Sequence, residues 1–367
     1  MNRAPHQLLQ WIAHLLAPEE ASCPLLAPGA PALEMANDNG MLPLLYRVLK
    51  DEGVFDDLPP LLKLRMREAQ ELTAAFDLTA EDAIRRLAEK FAGASIPVIA
   101  LNGTVLRSLI YEPRGWLRGP GELDLLLGRA AMEEAEQLVD ACGFVRLGKL
   151  PPEYYLNHHR AEPRYLPNCP ALRLNLHWDL VRPPHPFHLD LDGMWTRSLP
   201  LSPRYVKMRR LDDYDQLIHS CLRIDHDENY AGMIRPLMEA LAFARRQKVD
   251  GHTLSARARE MGVQSELSRV LRTASLLLGL QGPAGLPKLV GPGRLRSRIW
   301  RGLVERTLWQ RRSSGVVPIW YLNYATEVFL RARSWVHVLT LLARPVFVNP
   351  RLGGRGFVHP RREDFRG

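Results

Sequence analysis

The stretch that most limits what this chain can fold into is Ile96-Pro-Val-Ile-Ala-Leu101, followed at once by Asn102-Gly103-Thr104. The six apolar residues include β-branched side chains and are too few for a helix, so they predict a buried strand. A helix start follows at Asn102-Gly103-Thr104 and runs toward Tyr111. Leu123 to Leu127 is a second short apolar strand, with Asp124 inside it. Between Ala130 and Cys142, the residues Met132, Ala135, Leu138 and Val139 share one helical face, and Gly143 supplies a stop. Leu172, Leu174 and Leu176 then alternate with Arg173, Asn175 and His177, which predicts a half-buried strand over 172–181. Strands and helices thus alternate through the middle of the chain.

The flanks read differently. Residues 1–93 predict helices: an amphipathic opening helix carrying Leu8, Leu9, Trp11, Ile12, Leu15 and Leu16, one over 41–52, and a long one over 60–91. Gln10 and His14 interrupt the first apolar run, which argues against a secretory signal. Residues 94–205 form the α/β core, and 206–290 return to helices, with Leu217, Ile218, Cys221 and Leu222 on one face. The 367 residues suffice for a full hydrophobic core without staples. Cys23, Cys142, Cys169 and Cys221 lie far apart with no CxxC, so reduced thiols and a cytoplasmic location are expected. No apolar run is long enough to predict a membrane span.

Charge is concentrated at one end. The net charge is +9, yet 291–367 alone hold 15 arginines and four acids, so the remainder is slightly negative. That segment is also aromatic, with Trp300, Trp309, Trp320, Tyr321, Tyr324, Phe329 and Trp335. Such a mixture suits RNA, an anionic surface or an acidic protein. It equally suits a helical segment with aromatics inside and arginines in water.

The chemistry is expected around the first two strands. Backbone N–H groups at a helix start can hold phosphate, and a glycine there lets the phosphate approach closely. Glu122 and Asp124 are two apart on a strand, so they share a face. Hard carboxylate oxygens beside a phosphate-holding turn are what a Mg²⁺–triphosphate site requires, although such a pair can also be an exposed strand edge. A third acid is expected from the strand over 172–181, but Asn175 stands in its place, with Asp179 about 13 Å further along at roughly 3.3 Å per residue. An amide brings no charge and cannot act as a base.

In their order and spacing these motifs resemble the uncharacterised nucleotidyltransferase family within the DNA polymerase β-like superfamily. The resemblance runs over about residues 35–280 and rests on Leu101-Asn102-Gly103, Tyr111, Arg118 and Glu122-Leu123-Asp124 with Leu125-Leu126-Leu127. It continues through His158-His159 and Leu174-Asn175-Leu176-His177-Trp178, and upstream through Asn39-Gly40-Met41. It implies an α+β fold: a small mixed-sheet nucleotidyltransferase core flanked by N- and C-terminal helical regions. It also implies transfer of a nucleoside monophosphate from an NTP, held with Mg²⁺ or Mn²⁺, to an unknown acceptor such as a peptide or small molecule. The residues matching the family's sites are Glu122 and Asp124 as metal ligands, with Asn175 as the weakened third catalytic position. Asn102, Gly103, Thr104, Arg118 and His177 are the expected nucleotide contacts. Three positions depart from the family pattern: Asn102 for lysine, Glu122 for aspartate and Asn175 for an acid. The alternative is therefore a catalytically degenerate relative that binds nucleotide and docks a partner through its basic C-terminal segment.

Other groups read more plainly. His158 and His159 suit either phosphate contact or a solvated loop. Arg118 suits phosphate or a nearby acid, and His177 suits the site or packing beside Trp178. Asp225-His226-Asp227-Glu228 reads as a solvated turn and His219 as a core histidine. No GxSxG, P-loop or dinucleotide fingerprint is present, so hydrolase, P-loop ATPase and dehydrogenase readings have no support in the sequence.

Overall fold

The structure is a computed structural model and describes residues 4–17, 19, 30–118, 121–147, 155–156, 159–181, 185, 187–227 and 234–285. Among the described residues there are eleven α-helices and a seven-stranded mixed sheet, an α+β fold. His158, Glu228, Cys23 and the basic segment 291–367 lie outside the described residues.

The helices α1 (Ala4–Leu16), α2 (Ala30–Asp38), α3 (Leu42–Asp51) and α4 (Pro60–Gly93) precede the sheet. Proline at the start of α4 suits a first turn whose amide would have no partner. Met66, Thr73, Ala80, Leu87 and, offset by a turn, Ile84 and Phe91 form its buried stripe.

Strand β1 (Val98–Leu101) and strand β2 (Leu123–Leu127) are buried at every position, and helix α5 (Asn102–Ile110) links them. Helix α6 (Met132–Ala141) is followed by β3 (Val145–Arg146), β4 (Ala161–Leu166) and β5 (Cys169–His177). Helix α7 (Leu191–Arg197) and the two-residue strands β6 (Leu199–Pro200) and β7 (Arg209–Arg210) close the sheet, whose order is β3-β4-β5-β2-β1-β7-β6. Four helices follow: α8 (Asp213–Leu222), α9 (Ile234–Arg246), α10 (Gly251–Glu260) and α11 (Gln264–Leu278).

Side-chain alternation splits the core in two. Ile99, Leu101 and Leu126 face a cluster built from α1–α3 and α8–α11. Val98, Ala100, Leu123, Leu125 and Leu127 face the other side, against Leu172, Leu174, Leu176, α6 and the C-terminal half of α4. The helices of 1–93 and of 206–290 therefore share one core, and β7 carries the sheet past residue 205 to Arg210.

Two expectations need correction. The strand expected over 172–181 starts earlier and ends at His177. Asp179 lies beyond it and accepts the backbone amide of Leu180 at 2.7 Å, so it is no sheet-face acid. Asp225 is not in a solvated turn either. It is 1% exposed, lies in a π-turn (Arg223–Asp227) and is held by Arg269.

Candidate nucleotide site

Strand register assembles the site. Leu101 pairs with Asp124 across β1 and β2, and Asp124 pairs with Asn175 across β2 and β5. The residue after Leu101 is Asn102, which takes φ +45, a left-handed conformation that asparagine tolerates better than most residues. Its Nδ2 donates to Asp124 Oδ2 at 3.1 Å.

The other oxygen of Asp124 is equally occupied. Asn175 Nδ2 donates to Asp124 Oδ1 at 2.8 Å and to Glu122 Oε2 at 3.0 Å. His177 Nε2 lies 3.0 Å from the same Oδ1. A carboxylate only accepts, so Nε2 carries the proton in this pair. Burial pushes the Asp124 carboxyl up, but the hydrogen bond and charge of His177, the charge of Arg223 and the Asn175 amide outweigh it. The carboxyl is held well below its ordinary range. Glu122 sits just before β2 and is exposed.

His219, on α8, is buried as a core histidine should be, yet it feels this site. Burial first, then the nearby Arg160 and His177 charges, push its imidazole down to about 3, while Asp124 pulls the other way.

The turn at Asn102-Gly103-Thr104, expected from the sequence to hold phosphate, is covered by a side chain. No side chain caps the start of α5. Thr104 is buried there and its Oγ1 has no hydrogen-bond partner among the described residues. The space over Gly103 is filled by Arg118, because a Cβ at Gly103 would lie 2.7 Å from Arg118 Cζ. The glycine thus makes room for a guanidinium. Arg118 is buried, with Nε 3.0 Å from Glu239 Oε1 and Nη2 donating to Oε2 at 3.2 Å. Of the two partners the sequence offers Arg118, a phosphate or an acid, the structure shows an acid, Glu239, while the guanidinium lies over Gly103. Glu239 was missed because, on an apolar helix face, nothing local marks its partner.

The donor set bears on Mg²⁺. A divalent ion needs carboxylate oxygens turned toward it. Here three of the roughly four lone-pair positions on Asp124 meet N–H donors, and the Asn175 NH₂ group stands between the two acids. Among the described residues no set of three His, Cys, Asp or Glu side chains is arranged to hold a metal. The residues as placed do not fit a magnesium centre. His159 packs on Tyr155, with ring centroids 5.3 Å apart. Among the described residues Cys142, Cys169 and Cys221 are free, and no described helix is long and apolar enough to cross a membrane.

A mixed sheet carrying an acid pair beside a glycine turn, with helical flanks, is a nucleotidyltransferase-type core. The chain belongs to the uncharacterised nucleotidyltransferase family, whose model matches residues 30–279. Comparison with curated proteins finds no match.

Proposed function

We propose that this protein is a nucleotide-binding, catalytically degenerate nucleotidyltransferase. The observation that carries the reading is the Asn175 amide, which donates to both Glu122 and Asp124. It ties together by hydrogen bonds the two acids that a metal would otherwise draw together. Asn102 and His177 complete the closure around Asp124. At the other end of the site the groups are donors: Arg118 covers Gly103, and a ligand phosphate would have to take the place beside its guanidinium. The uncapped start of α5, the Thr104 hydroxyl and the Arg118 guanidinium over Gly103 form a cationic, donor-rich turn suited to a di- or triphosphate.

In this reading the chain's own residues bind and orient nucleotide, and transfer of a nucleoside monophosphate is slow or lost. The family's transfer reaction would require the Asn175 amide to release both carboxylates. The basic, aromatic 291–367 segment would serve as the docking element for an acidic partner.

Calorimetric titration of the four NTPs with Mg²⁺, and again with EDTA, tests this in wild type and Asp124→Asn. Binding that survives EDTA and the substitution is expected. Binding that requires Mg²⁺ and vanishes in Asp124→Asn, with pyrophosphate release, would restore the Mg²⁺–NTP transferase.

A further inference from the structure

Helix α9 lies far from the acid pair in sequence, yet one of its faces grips both ends of Arg118. Arg235 and Glu239 are four apart, so they project from the same side of the helix. Arg235 Nη1 donates to the Arg118 carbonyl oxygen at 2.7 Å and to the Gly40 carbonyl at 3.3 Å. Glu239 meets the other end, with its two oxygens on Arg118 Nε and Nη2. Tyr111, at the end of α5, donates its hydroxyl to Glu239 Oε1 at 3.0 Å. Arg118 and Glu239 are 4% and 1% exposed, so water competes little for these contacts.

This arrangement turns one nitrogen away from Glu239. Nη2 donates to Glu239 Oε2, and Nε lies 3.0 Å from Oε1 as a charge contact without a hydrogen bond. Both face Glu239, whereas Nη1 lies on the side away from it. It is also the guanidinium nitrogen nearest both Gly103 and Gly121. A planar guanidinium whose Nε/Nη2 edge faces a buried carboxylate has the direction of Nη1 set by that pairing. That direction is toward the start of α5, where the unpartnered Thr104 hydroxyl also sits.

We propose that Glu239 is a positioning residue for nucleotide phosphate: it aims Arg118 Nη1 at the α5 turn, making helix α9 part of the phosphate site. The inference rests on the nucleotide-binding reading above and adds a specificity determinant to it. Glu239 touches no ligand. It sets how strongly the site prefers a triphosphate over a monophosphate, because Arg118 rewards the added phosphates only while Nη1 is held toward them.

The test measures ATP, AMP and inorganic tripolyphosphate affinity in EDTA for wild type, Glu239→Gln, Arg118→Gln and the double variant, with thermal midpoints as a folding control. Loss of one aimed charge-assisted contact predicts roughly tenfold weaker ATP and tripolyphosphate binding in Glu239→Gln, with AMP within about twofold. The double variant should match Arg118→Gln alone, since Glu239 acts only through Arg118. Tyr111→Phe removes one hydrogen bond to Glu239 and should move ATP affinity the same way by less, which keeps the test sharp if Glu239→Gln does not fold. Equal or tighter ATP binding in Glu239→Gln overturns the positioning role, as does an effect that persists without Arg118. Wild type that binds neither NTP nor tripolyphosphate overturns the nucleotide reading itself.

Discussion

Restoring the missing acid makes a quantitative test. In Asn175→Asp the two hydrogen bonds to Glu122 and Asp124, at 3.0 and 2.8 Å, become carboxylate–carboxylate contacts. Two like charges about 4 Å apart repel by about 4 kcal/mol at an effective dielectric constant near 20. Protonation caps the loss. Holding a proton on a carboxyl of ordinary pKa ~3.9 at about pH 7 costs about 4 kcal/mol, at roughly 1.4 kcal/mol per unit. The variant should therefore be about 4 kcal/mol less stable than wild type in EDTA. For a domain of this size that is roughly 8–15 °C in Tm. The sign with pH follows. A carboxyl with a raised folded pKa destabilises above its unfolded value, so the deficit should shrink toward pH ~4. Divalent cation offers the other relief: with three acids in place, Mg²⁺ should recover most of the lost Tm, while wild type should respond to neither Mg²⁺ nor EDTA. Differential scanning fluorimetry across pH with and without Mg²⁺ reads all of this. A wild-type Tm raised by millimolar Mg²⁺, or an Asn175→Asp variant as stable as wild type in EDTA at neutral pH, would refute the reasoning.

Other outcomes are equally open to measurement. Gly103→Ala puts a methyl 2.7 Å from Arg118 Cζ and should weaken tripolyphosphate binding several-fold with little loss of helix content, checked by titration and circular dichroism. His219, pushed down to about 3, stays neutral in the folded state while an unfolded histidine takes a proton near pH 6.5, so stability should fall as pH drops below ~6.5 and the fall should flatten in His219→Gln. The depressed Asp124 carboxyl contributes stability above its unfolded pKa of ~3.9 that is lost at lower pH, so Asp124→Asn should show a smaller change below about pH 4 in urea titrations. Arg164→Met leaves Glu162 buried without its closest guanidinium and should cost about 3–5 kcal/mol by urea denaturation.

The sequence made some of this readable and hid the rest for physical reasons. Strands β1 and β2 announce themselves because β1 is apolar on both faces and β2 is apolar at every position but Asp124, which fits central strands. The opening helix was legible through Leu8, Trp11 and Ile12, all buried. Strand β4 was not, because its buried positions include Glu162 and Arg164, which are apolar in burial and polar in letter. Their burial depends on partners in other elements: Arg146 and Glu136 for one network, Asp140 at its rim. Helix α2, helix α7 and the two-residue strands are too short to show a period. In the site, spacing put Glu122 with Asp124 and Asn175 with His177, the family resemblance added Asn102, and the register of β1, β2 and β5 brings the five side chains together. What spacing could not reveal is the direction of the hydrogen bonds, namely that Asn175 would face the acids with its nitrogen. Nor could it reveal Glu239, which reaches the turn only through the packing of a helix more than a hundred residues away.

The shared core of the outer helices also bears on how the chain is made. Helices α1 to α3 leave the ribosome before α8 to α11, yet their apolar faces are completed by those later helices, with α1 meeting α11. At about 5–20 residues per second, the interval between the two is on the order of ten to fifty seconds. Throughout that interval Leu8, Trp11, Leu45 and Leu49 have no finished surface to bury against. Any truncated product that stops after the sheet should be sticky, and co-translational chaperones should engage this protein at its amino-terminal helices.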